Sequence, residues 1–225
     1  MEYKTIKGIH SQEIEIKKSR FITSIKECKS EEEALDFLEE IRKNNRTATH
    51  NCYCYIISDN MLTQRYSDDG EPQGTAGIPM LEVLKKEEIT NICAVVTRYF
   101  GGIKLGASGL IRAYTQAVSE ILKKIDVVNM QYHDIVEVKF EYAYLGKIDN
   151  YIQKSNVFMY RRNYLEKIEN IFFIKSDKID DFLKNINEIT NGNNEFIFVK
   201  KQLLPVVDDE ICEEYLWQDI INGVK

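Results

Sequence analysis

The chain has 225 residues, 44% of them hydrophobic and 29% charged, which excludes intrinsic disorder and supplies a core to bury. Its formal charge of −6 argues against a binder held to nucleic acid by bulk charge, but five of those six net charges lie in residues 205–225, so local basic patches stay open. No apolar run nears the ~20 residues that span a bilayer, and MEYKTIKGIH lacks the apolar stretch of a secretory signal, so a cytoplasmic chain with no membrane partner is expected.

The first segment reads as strands, with Ile14 and Ile16 on one face of the run from Gln12 to Lys17, and Phe21, Ile22 and Ile25 after a polar break. Ser30 with Glu33 is a capping box, and Ala34, Leu35, Phe37, Leu38 and Ile41 then recur at helical spacing up to Asn44-Asn45. HNCYCYIIS, from His50 to Ser58, is a buried strand, followed by a polar loop from Gln64 to Gly77 and a short helix starting near Pro79. NICAVVTRYF is a central strand. After a glycine-rich stretch, Gly101 to Gly109, a long helix carries Leu110, Ile111, Tyr114, Ala117, Val118, Ile121 and Leu122 as its apolar stripe to about Ile125.

Val127 to Gln131 is the expected linker. Beyond it the pattern is strand (Ile135 to Tyr142), helix (Leu145 to Lys154), strand (Val157 to Leu165), strand (Ile168 to Ile174), helix (Ile179 to Ile189) and strand (Glu195 to Gln202), the β-α-β-β-α-β order of a ferredoxin-like unit. The fold class is α+β in two domains, 1–128 and 132–203, with an acidic tail at 205–225. In that tail Ile211, Tyr215, Leu216, Trp217, Ile220 and Ile221 interrupt the acids at helical spacing, which predicts a docked amphipathic helix.

Three constellations could carry chemistry. RYFGGIKLGASGLIRAY joins a strand to a helix N-terminus, where free N–H groups, Arg98, Lys104, Arg112 and the Ser108 hydroxyl could hold an anion. It has neither the P-loop nor the dinucleotide spacing, and its glycines also serve a tight turn with no ligand. Asp68, Asp69 and Glu71 crowd three carboxylates into one turn, enough for Mg²⁺ or for orienting a water, although D-D-G-E-P is also ordinary turn chemistry. His50, Cys52 and Cys54 share one strand face. They read as two buried thiols beside a hydrogen-bonded histidine, with no bound metal, because no second Cys/His pair completes a zinc site. The cysteines, Cys28, Cys52, Cys54, Cys93 and Cys212, are odd in number and scattered, as expected for reduced thiols.

ATHNCYCYII (Ala48 to Ile57), SDDGEPQGTAGIPMLEVL (Ser67 to Leu84) and VVTRYFGGIKLGASGLIRAY (Val95 to Tyr114), with the earlier Ser19-Arg20-Phe21, resemble the YigZ/IMPACT family. The resemblance covers most of the first domain. It implies a ribosomal-protein domain-2-like (βαβ) N-terminal domain and a ferredoxin-like (βαββαβ) C-terminal domain similar to one of elongation factor G. It also implies that the two loops form one ligand- or partner-binding surface, of Asp68, Asp69, Glu71, Gly74, Thr75, Arg98, Tyr99, Gly101, Gly102, Lys104, Gly106, Ser108 and Arg112. Ser108 departs from the family pattern, which has glycine there.

Eukaryotic members of that family restrain a kinase pathway by competing for the kinase's activator, so the resemblance implies regulation more than catalysis. The expectation is a regulatory protein linked to translation through RNA, the ribosome or a regulatory protein, with no cofactor and no assigned catalytic residue. The alternative is an enzyme acting on a phosphorylated small molecule, with Mg²⁺ at the acidic loop and phosphate at the glycine-rich turn. A dinuclear metallopeptidase is rejected, because it needs several spaced ligands and only His10, His50 and His133 are present.

Overall fold

Three strands open the chain in the computed structural model: β1 (Tyr3–Thr5), β2 (Ile9–Ile16) and β3 (Ser19–Glu27). β2 and β3 pair antiparallel across the two-residue turn Lys17-Lys18, whose φ angles of 49° and 64° give the left-handed backbone that suits strand twist. The structure describes residues 1–58, 60–155 and 157–213. It divides into two units, Met1–Asn129 and the chain from Met130 onward. Among the described residues no helix is long and apolar enough to cross a membrane.

In the first unit, α1 (Glu31–Asn44) starts where the sequence predicts: the Ser30 hydroxyl accepts from the Glu33 N–H at 3.1 Å, and the Glu33 carboxylate reaches back to the Lys29 N–H at 2.7 Å. Then follow β4 (His50–Ile57), β5 (Thr63–Ser67), α2 (Gly77–Lys86), β6 (Ile92–Tyr99) and α3 (Ala107–Leu122). The sheet order is β2-β3-β6-β4-β5, every neighbouring pair antiparallel. α1 packs Ala34, Phe37 and Leu38 against Cys93 and Val95 on one face. α2 and α3 pack Met80, Leu84, Tyr114 and Val118 against Ile92, Ala94 and Val96 on the other. Helices on both faces explain why β6 is an unbroken apolar run.

The second unit contains β7 (Val128–Phe140) from Met130 on, α4 (Leu145–Lys154), β8 (Phe158–Tyr164), β9 (Ile168–Lys175), α5 (Ile179–Thr190), β10 (Asn194–Val207) and β11 (Glu210–Ile211). Its sheet runs β11-β10-β7-β9-β8, which for the four main strands is the fourth-first-third-second order of a split β-α-β. Ile148 of α4 with Phe182 and Ile186 of α5 close a core over Val136, Val138, Phe140 and Phe172.

Three boundaries differ from expectation. Residues 127–131 are not a coil linker: β7 already starts at Val128, with Val128 and Met130 buried and Asn129 and Gln131 only partly so. The predicted Gln64–Gly77 loop contains β5, a short polar edge strand whose order comes from pairing with β4 and not from its own apolar pattern. The last strand runs through Pro205 to Val207 and turns back into β11, so the tail's first residues belong to the sheet. The helix expected in the tail, and Trp217 with it, falls largely on residues 214–225, outside the described residues.

Candidate functional site

The register of the first sheet sets Arg98, near the end of β6, between Phe21 of β3 and His50 of β4. Its guanidinium Nη1 donates to Glu71 Oε1 at 2.6 Å, and the same oxygen accepts from the Tyr114 hydroxyl at 2.8 Å. The side chains of Arg98 and Glu71 are only 6% and 3% exposed, so this ion pair is desolvated. Arg98 also lies 5.5 and 5.6 Å from the ring centroids of Phe21 and Phe100, and its Nε has no hydrogen-bond partner among the described residues. Burial drives the Tyr114 hydroxyl far above the usual phenol range and keeps it a donor.

The two aspartates of the acidic turn are held by the backbone. Asp68 accepts from the N–H groups of Gly74, Ala76 and Gly77 at 2.8, 3.0 and 2.9 Å and so caps the start of α2. Asp69 accepts from the Asn51 N–H at 2.6 Å and from Arg42 at 3.0 Å. Thr75 is buried, its hydroxyl donating to the Pro72 carbonyl at 2.6 Å. Gly74 takes φ 75°, which a side chain there would strain. Among the described residues no three His, Cys, Asp or Glu side chains group as a metal site. Asp68 and Asp69 are thus engaged mainly by backbone N–H groups, and Glu71 by Arg98 and Tyr114.

His50 Nδ1 donates to the Asp69 carbonyl at 2.8 Å, leaving Nε2 facing Glu71 Oε2 at 3.9 Å. On the same strand face the Cys52 thiol donates to the Asp68 carbonyl at 3.0 Å. Burial pushes the Cys52 thiol up to about 12 and Cys54 higher still, the reverse of what thiolate ligation or nucleophilic attack needs.

The glycine-rich turn presents a different surface. A Cβ on Gly101 would fall 2.0 Å from the Lys18 carbonyl oxygen, and the Gly101 N–H donates to the Ser19 hydroxyl at 3.1 Å. The β2–β3 turn is thereby packed against the start of the loop. Tyr99 donates to Asn45 at 2.9 Å beneath the Arg20 guanidinium. Past Gly101 the chain emerges. Gly102, Lys104, Gly106, Ser108 and Arg112 are exposed, as are Phe100 at 47% and Ile103 at 42%. Gly106 precedes α3 and supplies no side-chain cap to the first N–H groups of that helix. Ser108 is the second residue of α3 and exposed, where a side chain costs nothing.

The structure thus joins Glu71 to Arg98 inside the protein and leaves the basic, glycine-rich part on the surface. Sequence reasoning did not single out Tyr114 as a site residue, since it read as one more apolar position on its helix. It also did not single out Lys17 and Lys18, since a tight hairpin turn with positive φ at both positions is normally signalled by Asn, Asp or Gly and not by lysine.

Residues 17–122 match the family model described as the Impact N-terminal domain, and residues 138–193 match one described as a domain of unknown function (DUF1949). The chain is 45% identical to the IMPACT family member YvyE of Bacillus subtilis over 86% of this chain and 89% of that protein. It is 31% identical to the IMPACT family member YigZ of Escherichia coli over 83% and 93%. A solved structure titled "Crystal structure of an hypothetical protein" superimposes with a TM-score of 0.56 at 28% identity, covering 88% of this chain and 98% of that one. Matching over nearly the full length of such relatives, with the two domain models in order, this chain belongs to the IMPACT family.

Proposed function

We propose that the protein is a non-catalytic cytoplasmic regulator linked to translation, which binds RNA or the ribosome through the rim of the first unit formed by Lys17, Lys18, Phe100, Ile103, Lys104 and Arg112. One observation carries this reading. The groups that could do chemistry, Asp68, Asp69, Glu71 and Arg98, are spent on backbone amides and on each other, whereas basic and aromatic groups of the adjacent loop are exposed. Cationic side chains flanking an accessible ring suit phosphate contact with base stacking.

Retention of labelled RNA on filters, and co-sedimentation with ribosomes, across a salt series tests the reading. Replacing Lys17, Lys18 and Lys104 together by alanine is expected to weaken binding and flatten the salt slope by about 2, at roughly 0.7 per lost phosphate contact on a single strand. Failure of the unmodified protein to retain RNA or ribosomes at low salt sinks it. Stabilisation by a sugar phosphate or nucleotide with Mg²⁺ in a thermal-shift screen would instead support the small-molecule reading, for which the uncapped start of α3 is the supporting observation.

A further inference from the structure

Among the described residues, most of the outer edge of β10 is unpaired. β11 pairs with β10 at Val206 and Val207, and the Cys212 N–H donates to the Pro205 carbonyl at 2.9 Å; among the described residues no strand covers the outer edge of β10 from Asn194 to Leu203. Three consecutive apolar residues stand exposed there: Ile197 at 37%, Phe198 at 56% and Val199 at 36%. Natural edges are usually blunted by charge, proline or brevity. Here Lys200, Lys201 and Pro205 lie at one end, and the segment E-F-I-F-V ahead of them is not interrupted.

We propose that this edge pairs with the same edge of a second copy of the chain, antiparallel and about a two-fold axis at Phe198. The sequence is self-complementary in that register. Glu195, exposed, falls opposite the second copy's Lys201, also exposed, and the two-fold repeats the pair on the other side. Ile197 falls opposite the second copy's Val199, and the two copies' Phe198 meet on the axis. A shift by two residues, the smallest that keeps edge-facing backbone groups opposed, would set Glu195 opposite Val199 or Leu203 and lose both charge pairs. The charge match selects a second copy over an unrelated extended peptide, because its two charges stand the same distance either side of the axis.

Light scattering on the full chain over a concentration series is expected to show the mass rising from 26.3 kDa toward twice that value. Lys201→Glu should hold it at the monomer mass, and adding Glu195→Lys should restore the dimer. In a Cys212→Ser background, Phe198→Cys should cross-link to itself in an oxidising glutathione buffer, since directly opposed residues have Cα atoms about 4.5–5.5 Å apart. Tyr164→Cys, exposed on β8, should not. A monomer at every concentration overturns the proposal. So does a dimer that ignores Lys201→Glu, or one in which Phe198→Cys cross-links no better than Tyr164→Cys.

Discussion

Glu71 and Arg98 meet at 2.6 Å with both side chains almost fully buried, so the acidic loop after β5 and the end of β6 share one desolvated ion pair. The Tyr114 hydroxyl on α3 completes it, which ties a loop, a central strand and a helix to a single carboxylate oxygen.

Removing either partner leaves the other charge buried and uncompensated. Glu71→Ala and Arg98→Ala are each expected to cost about 3–5 kcal/mol, read as a lower urea midpoint. The double variant Glu71→Leu with Arg98→Met should recover much of that loss, because an apolar pair of similar size needs no desolvation. Single losses below ~1 kcal/mol would mean that water reaches the pair.

Asp68 is expected to act on stability. Asp68→Ala deprives three N–H groups at the start of α2 of their acceptor and should cost about 2 kcal/mol, while Asp68→Asn, which keeps one acceptor, should cost less. Equal effects from the two variants in thermal unfolding would argue against capping.

Glycine substitutions should split by position. Gly101→Ala drives a Cβ to 2.0 Å from the Lys18 carbonyl oxygen and is expected to cost at least about 3 kcal/mol. Gly146→Ala, in the first turn of α4 with nothing within 4 Å, should stabilise by about 0.5–1 kcal/mol. Reversal of that order in denaturant melts would refute the close approach at Gly101.

Four thiols set an alkaline limit. Burial pushes Cys28 and Cys52 up to about 12 and raises Cys54 and Cys93 as well, against about 8.5 in an unfolded chain. Above that pH the unfolded chain gives up protons that the folded one keeps. The stability is therefore complete below about pH 8.5 and falls as pH rises toward about 12, by up to ~1.4 kcal/mol per pH unit for each thiol. Urea unfolding between pH 7.5 and 10.5 should show the decline, and Cys52→Ala should shallow it by about one proton. At pH 8 a disulfide reagent should find one fast thiol, Cys212, since the other four are buried.

The sequence by itself determined the α+β class, the helices, the capping box at Ser30 and Glu33, and the strand–helix order of the second unit, because those depend on period, capping chemistry and turn residues within a few positions of one another. α4 begins and ends at Leu145 and Lys154, as its apolar spacing predicts. The tertiary structure alone decided β5, the start of β7 and the extension of β10, since each is held by the strand beside it and carries little pattern of its own. It also decided the site. Asp68 and Glu71 look alike in sequence as charged loop residues, and Arg98 as the charged end of a strand, yet Asp68 turns back onto α2 and Glu71 closes on Arg98, whose place between Phe21 and His50 is set by the register of three strands. Spacing along the chain lists the charges a loop offers, and only the pairing of distant strands determines which of them are buried against each other and which stay at the surface.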